Sequence, residues 1–343
     1  MPISPHLSLR AMSRPIALFA LLLAGCLGDP ERGNPLDPLS DNFSDVGAVA
    51  GTVTSFFPPF QGLGGVRVGL TPLAGGVELV AITDAAGRFS INNASMGSYL
   101  VSAELSGYTV VVDTVNVEIG QLAELTLPIN GIPTIQATTI HSENLNRWFP
   151  QDPLFQLVVE AIVDDPDGLG DIEDVRLVIP SLGYSDTLRV VVGKPGVYRR
   201  IFSENELPVS AQDLLGLPLQ LEATDAQGVN GSTNPVQIVR IIASFPQGVE
   251  PNKGDVLGPQ PTFVWQMFDL PFSFTQQIDI AFVPVPGQEI PLLRYSEIAP
   301  TDTTFTIPDA LQEGVHGWTV SAVDAFGNLS RSRPRSFTVA LSL

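Results

Sequence analysis

The feature that most limits what this 343-residue chain can fold into is alternation of apolar and polar side chains with a period of two. Val115, Val117 and Ile119 alternate with Asn116 and Glu118. Leu219, Leu221 and Ala223 alternate with Gln220, Glu222 and Thr224, and Ile278, Ile280 and Phe282 belong to a third such run. A run of this kind puts apolar side chains on one face of an extended segment and polar ones on the other, as in a half-buried antiparallel strand. Helical periodicity is not sustained anywhere. The one short helical signal is 210–216, where Ser210 is the N-cap, Asp213 follows three residues on and Gly216 is the stop, enough for one or two turns. The expected fold class is therefore all-β. The 31 glycines and 30 prolines, scattered as punctuation between short runs, agree with it.

The first 25 residues follow a different logic. They contain no Asp or Glu, and Arg10 and Arg14 precede an apolar run over 16–23 that ends in Ala24, Gly25 and Cys26. That order is the order of an export signal, and eight or nine apolar residues are too few to span a bilayer. Leu23, Ala24, Gly25 and Cys26 resemble the lipobox of bacterial lipoproteins. The resemblance implies that residues 1–25 are a signal peptide removed before Cys26, and that Cys26 carries a diacylglycerol group. Each buried methylene of such a chain contributes roughly 0.8 kcal/mol, and two or more chains anchor stably where one does not. Residues 26–46, with Pro30, Pro35 and Pro38 and few apolar side chains, read as a solvated tether. The run Asn34, Pro35, Leu36, Asp37, Pro38 is similar to segments that follow the lipidated cysteine in some bacterial lipoproteins. Leu27, by the sorting rule of enterobacteria, implies the outer membrane. The expected location is thus the bacterial cell envelope, with the membrane a partner through Cys26.

Beyond the tether, one short device occurs three times. Asp84-Ala85-Ala86-Gly87, Asp225-Ala226-Gln227-Gly228 and Asp324-Ala325-Phe326-Gly327 each fall between apolar-alternating segments. An aspartate carboxylate accepts backbone N–H groups at the start of a tight turn, and glycine takes the positive φ at its end. A metal loop needs more oxygens than one carboxylate per turn supplies, so the expected role is a turn in each of three units.

The unit at 47–129 carries Gly51-Thr52-Val53, Gly65-Val66-Arg67-Val68, the 83–89 hairpin, Met96-Gly97-Ser98-Tyr99, Ser106-Gly107-Tyr108 and Leu125-Thr126-Leu127. In these it resembles the carboxypeptidase regulatory-like domain, which implies a seven-stranded transthyretin-type β-sandwich and no activity of its own. The unit at 245–341 looks like a fibronectin type III-like domain, with an early strand over 261–265 and a late one over 317–324. Phe263, Trp265, Trp318, Val320 and Ala322 then point inward. A buried tryptophan removes on the order of 200 Å2 from water, about 5 kcal/mol at ~25 cal/mol per Å2 before entropic costs. The middle unit, 132–244, loosely resembles the Ig-like domains of bacterial surface proteins, with strands over 155–163, 175–179, 187–192 and 217–223. The whole is then three tandem antiparallel β-sandwich domains after a signal peptide and tether.

Chemistry is sparse. One cysteine excludes a disulfide framework and cysteine-based zinc sites. A formal charge of −19, with Lys194 and Lys253 the only lysines, excludes nucleic acid as a partner. Past the signal only His141 and His316 remain, and there is no Gly-x-Ser-x-Gly elbow, so nucleophilic catalysis has no footing. His316, two residues before Trp318, reads as a strand residue. The densest acidic stretch is 164–174. It reads first as a solvated loop; its other reading is a Ca2+ site through Asp164, Asp165, Asp167 and Asp171 with nearby carbonyls, the sole cofactor these residues suggest. It lacks the twelve-residue EF-hand register. Trp148, beside Phe149, is the candidate ligand-binding aromatic. The expected function is a non-enzymatic envelope protein presenting sandwich modules for adhesion, scaffolding or assembly with envelope proteins. The alternative is a glycan- or ligand-binding lipoprotein serving a transport system.

Overall fold

The computed structural model of the chain describes residue 40 and residues 45–341. The export signal, Cys26 and nearly all of the tether lie outside the described residues.

The protein is all-β. The first module contains β1 (Val46–Ser55), β2 (Arg67–Pro72), β3 (Leu79–Ile82), β4 (Arg88–Ser95), β5 (Gly97–Glu104), β6 (Val111–Val117) and β7 (Leu122–Ile129). They form a three-stranded sheet, β4-β1-β7, facing a four-stranded one, β3-β2-β5-β6. Val49, Val53, Val68, Leu70, Val101, Leu127 and Ile129 fill the space between them. Alternation sets this packing: in β5 Tyr99, Val101 and Ala103 point in while Ser98, Leu100 and Glu104 point out.

The middle module contains β8 (Thr134–Leu145), β9 (Leu154–Asp164), β10 (Ile172–Ile179), β11 (Tyr184–Thr187), β12 (Arg189–Val190), β13 (Val197–Ser203), β14 (Gln220–Asp225) and β15 (Asn230–Ser232). Its sheets are β11-β10-β14-β15 and β12-β13-β9-β8, closed over a core that includes Leu157, Val159, Leu177, Phe202 and Leu221. The run over 187–192 is two strands, not one. β11 pairs with β10 and β12 pairs with β13, so the chain changes sheets at Leu188, which is buried between the layers. The helical signal at 210–216 is a single 3-10 turn, Gln212–Leu214, with Ser210 Oγ accepting from the Asp213 N–H at 3.3 Å.

The last module contains β16 (Gly248–Glu250), β17 (Val256–Leu257), β18 (Thr262–Trp265), β19 (Phe274–Val285), β20 (Gln288–Ile298), β21 (Thr304–Thr306), β22 (Gly314–Asp324), β23 (Leu329–Arg331) and β24 (Arg335–Val339). Phe263, Trp265, Trp318 and Val320 are all buried, and the Trp318 indole N–H donates to the Pro251 carbonyl at 2.9 Å. Trp265 and Trp318 are core residues here. His316 is also buried, between the rings of Phe282 and Phe337, with Nδ1 3.1 Å from the Gly314 carbonyl oxygen.

The three Asp-Ala-x-Gly turns are alike in detail. Asp84 Oδ1 accepts from the backbone N–H groups of Ala86 and Arg88 at 2.9 and 2.8 Å. Asp225 Oδ1 accepts from Gln227 and Val229 at 2.9 and 2.8 Å, and Asp324 Oδ1 from Phe326 and Asn328 at 2.9 Å each. Gly87, Gly228 and Gly327 sit at φ of 77°, 78° and 84°, a region costly for any residue with a Cβ.

β8 belongs to two modules. Its body pairs with β9, and its last residues, Glu143 to Leu145, pair in parallel with Leu329 to Arg331 of β23. One ten-stranded sheet therefore runs from the middle module into the last.

Candidate functional site

In each of the two later modules the turn aspartate uses one oxygen to build its turn and aims the other at the preceding module. The consequences differ.

At the joint between the middle and last modules, Asp324 Oδ2 accepts from the Asn328 side-chain amide at 3.0 Å and lies 3.4 Å from Nε of Arg240, while its side chain is fully buried. The Arg240 guanidinium lies over the Phe272 ring at 4.2 Å and the Phe326 ring at 5.4 Å. Asn328 Oδ1 accepts from the Ser142 N–H and hydroxyl, each at 2.9 Å. The connecting segment is stitched from both sides: Asn144 donates to the Ile242 carbonyl at 3.0 Å, and Ser330 Oγ donates to the carbonyl of Ser244. Trp148 belongs to this joint as well. Its indole N–H donates to the Pro334 carbonyl at 2.7 Å and Arg333 lies 5.1 Å from its ring. Trp148 and Phe149 remain 62% and 89% exposed.

At the joint between the first and middle modules, Asp225 Oδ2 accepts from the Asn130 side-chain amide at 2.5 Å. Asn130 follows β7, the last strand of the first module, and its carbonyl accepts the Thr109 N–H at 2.8 Å, so that module holds it in place. Around this contact the β9–β10 loop brings three more carboxylates. Asp165 Oδ1 accepts the Asp167 N–H at 2.7 Å, Asp167 Oδ2 accepts the Gly131 N–H at 2.7 Å, and Asp171 Oδ1 accepts the Ala226 N–H at 3.3 Å. Each carboxylate thus spends one oxygen on backbone. The other oxygens, Asp165 Oδ2, Asp167 Oδ1 and Asp171 Oδ2, are buried with no hydrogen-bond partner, and so is Asn130 Oδ1. Carboxylate oxygens of Asp165, Asp171 and Asp225 lie within 4.8 Å of one another, and these three residues are at most 5% exposed. Among the described residues no lysine or arginine forms an ion pair with any of the four.

The electrostatics follow. Burial pushes the Asp165 carboxyl up to about 6, against the pull of the Asp167 N–H and with help from the charges of Asp171, Asp167 and Asp225. Burial raises Asp171 in the same way, and the Tyr108 phenol is raised by burial and by Asp167 and Asp165.

Of the four aspartates read from the sequence, Asp165 and Asp171 meet here and Asp167 stands beside them on the Gly131 N–H. Asp164, on the opposite face of β9, is exposed and stands apart. Two contributors were missed. Asp225 reads in sequence as a turn residue alone, which holds for one oxygen only, and no local pattern marks Asn130. Neither loop is close to the other in sequence: Asn130 and Asp225 are 95 residues apart. The repeated aspartate was the one available signal.

Residues 48–130 match the family model of the carboxypeptidase regulatory-like domain. Comparison with curated proteins gave no match. Among solved structures, the chain is similar to BcpA, the major pilin subunit of Bacillus cereus, at 11% identity and a TM-score of 0.31, over 86% of this chain and 95% of that one. It is similar to the FN1–FN3 domains of chicken CNTN1 at 11% identity and a TM-score of 0.28, with the same coverage. A putative carbohydrate binding protein from Bacteroides uniformis matches at 10% identity and a TM-score of 0.25, over 57% of this chain and 99% of that one.

Proposed function

We propose that this chain, whose first sandwich is a carboxypeptidase regulatory-like domain, is a non-enzymatic cell-envelope protein, anchored by lipid at Cys26, that displays three β-sandwich modules for adhesion or assembly with other envelope proteins. The observation that carries this reading is the ten-stranded sheet shared by the middle and last modules. A shared sheet fixes one module on the next and suits a protein whose task is to hold surfaces at set positions. The acidic residues support it too. The one group of three close carboxylates among the described residues is buried at the joint between the first and middle modules. No helix among the described residues is long and apolar enough to cross a membrane.

Two measurements test the proposal. Cells fed a labelled fatty acid should yield labelled chain, and Cys26→Ala should lose the label and leave the membrane fraction; a labelled, membrane-bound Cys26→Ala protein overturns the anchor. Crosslinking on intact cells should then recover envelope proteins reproducibly. Hydrolytic activity in the purified chain would overturn the non-enzymatic part.

A second reading, glycan capture, is favoured by one observation, the exposed Trp148–Phe149 pair beside Arg333. Glycan-array binding that is lost in Phe149→Ala would support it, because Phe149 is almost fully exposed and its removal spares the Trp148 contact with Pro334.

A further inference from the structure

The two joints pose one electrostatic problem and solve it once. Asp324 is a buried turn aspartate facing the preceding module, and the Arg240 guanidinium compensates it. Asp225 is the same aspartate in the same turn, also fully buried, and its carboxylate lies within 4.8 Å of those of Asp165 and Asp171 without a cation. Three carboxylates converging in a buried space, with that of Asp167 nearby, repel one another, and burial of an uncompensated charge is costly. The second, independent observation is Asn130. It is 5% exposed, lies against Asp225 through its amide nitrogen, and leaves its own carbonyl oxygen Oδ1 buried and without a donor. The amide oxygen carries no charge, so it adds an acceptor to the cluster without adding to its repulsion. Every unfilled group is an oxygen: Asn130 Oδ1, Asp165 Oδ2, Asp167 Oδ1 and Asp171 Oδ2.

We propose that these oxygens, with the Asp225 carboxylate, bind one Ca2+ ion that locks the first module onto the middle one. This goes beyond the proposed envelope role and does not depend on it. An all-oxygen set without histidine or cysteine excludes the preferences of zinc and copper. The side chains offer about five or six oxygens, and backbone carbonyls or water complete the six to eight that calcium takes. Mg2+ demands a small octahedral shell and keeps most of its water, which a buried anionic cage does not accommodate. The ligands come from the end of β7, the β9–β10 loop and the β14–β15 turn, so the ion ties the last residue of one module to two loops of the next. It takes the place that Arg240 fills at the other joint.

The test is titration of the full chain with CaCl2 after chelation, followed by calorimetry, thermal unfolding and hydrogen exchange. Ca2+ is expected to bind once, with a Kd no weaker than about 1 mM. Binding should raise the unfolding midpoint by a few degrees and slow exchange at Thr109, Gly131 and Ile132, with Mg2+ far weaker. Asp171→Asn and the Asp165→Asn/Asp171→Asn pair keep the side-chain shape and remove charge. They should fold at least as stably as the ion-free parent and bind Ca2+ at least about tenfold more weakly. Absence of binding at about 10 mM Ca2+ overturns the proposal, as does binding that both variants retain. Ca2+ protection that appears at Ser142 and Asn328 instead of Gly131 overturns the lock.

Discussion

The two joints of this protein are built from the same turn and end in opposite chemical states. At the second, a sheet crosses from module to module, Asn328 satisfies Ser142, and Arg240 neutralises Asp324. At the first, no sheet among the described residues runs from module to module; an isolated antiparallel bridge between Tyr108 and Gly131, the Ile132 N–H on the Gly107 carbonyl at 2.8 Å, the Asn130 amide, the Gly131 N–H and a nest of carboxylates make the contact. A joint closed by paired strands and an internal cation is complete as the chain folds. A joint closed by like charges around unpaired oxygens has no such internal cation. Under the proposed Ca2+ lock, one protein contains a fixed connection and one whose strength answers to its surroundings.

The largest effect is expected from breaking the complete joint. Arg240→Met leaves Asp324 buried without its cation, and urea unfolding should show a loss of about 2–3 kcal/mol, somewhat below a fully buried pair because Arg240 is a third exposed. Asn328→Ala comes next. It strips the acceptor from the Ser142 N–H and hydroxyl and one donor from Asp324, for about 2 kcal/mol by the same measurement.

The first joint should yield less. A Cβ on Gly131 would stand 2.9 Å from Asp165 Oδ1 and 3.0 Å from Pro166 Cδ, so Gly131→Ala must push the β9–β10 loop away. About 1 kcal/mol is expected, with faster hydrogen exchange at Gly131 and Ile132 and none of the change at Ser142.

Acid offers a way to tell joint from module. Burial lowers the His316 pKa below its ordinary 6.5, so the unfolded chain binds the proton more readily than the folded one. Stability of the last module is then full above about 6.5 and falls as the pH drops toward the folded value. Thermal unfolding at several pH values should show this loss, and His316→Phe should flatten it while leaving the exchange pattern of both joints intact. The smallest effect belongs to Asp164→Asn. Its exposed side chain stands outside the cluster, and the unfolding midpoint should move by less than about 0.5 kcal/mol equivalent.

Much of the fold was legible from local pattern. Period-two alternation marks the strands, and three Asp-Ala-x-Gly turns mark three units, because face and turn chemistry are decided by residues within a few positions of one another. Phe263, Trp265 and Trp318 were recognisable as core for the same reason. The sheet change at Leu188 was hidden, since a strand that switches layers keeps its apolar rhythm.

The candidate site divides along the same line. Asp165, Asp167 and Asp171 stand out in sequence because one loop carries them, but local spacing also included Asp164, which strand geometry turns to solvent. What only the tertiary structure decided is which second oxygen each aspartate has left and what it meets. Asn130 reaches Asp225 across 95 residues, and Arg240 reaches Asp324 across another module boundary. Local sequence specifies strands and turns through short-range sterics and hydrogen bonds. Charge compensation at a joint depends on which loops docking brings together, and that is a property of the assembled modules.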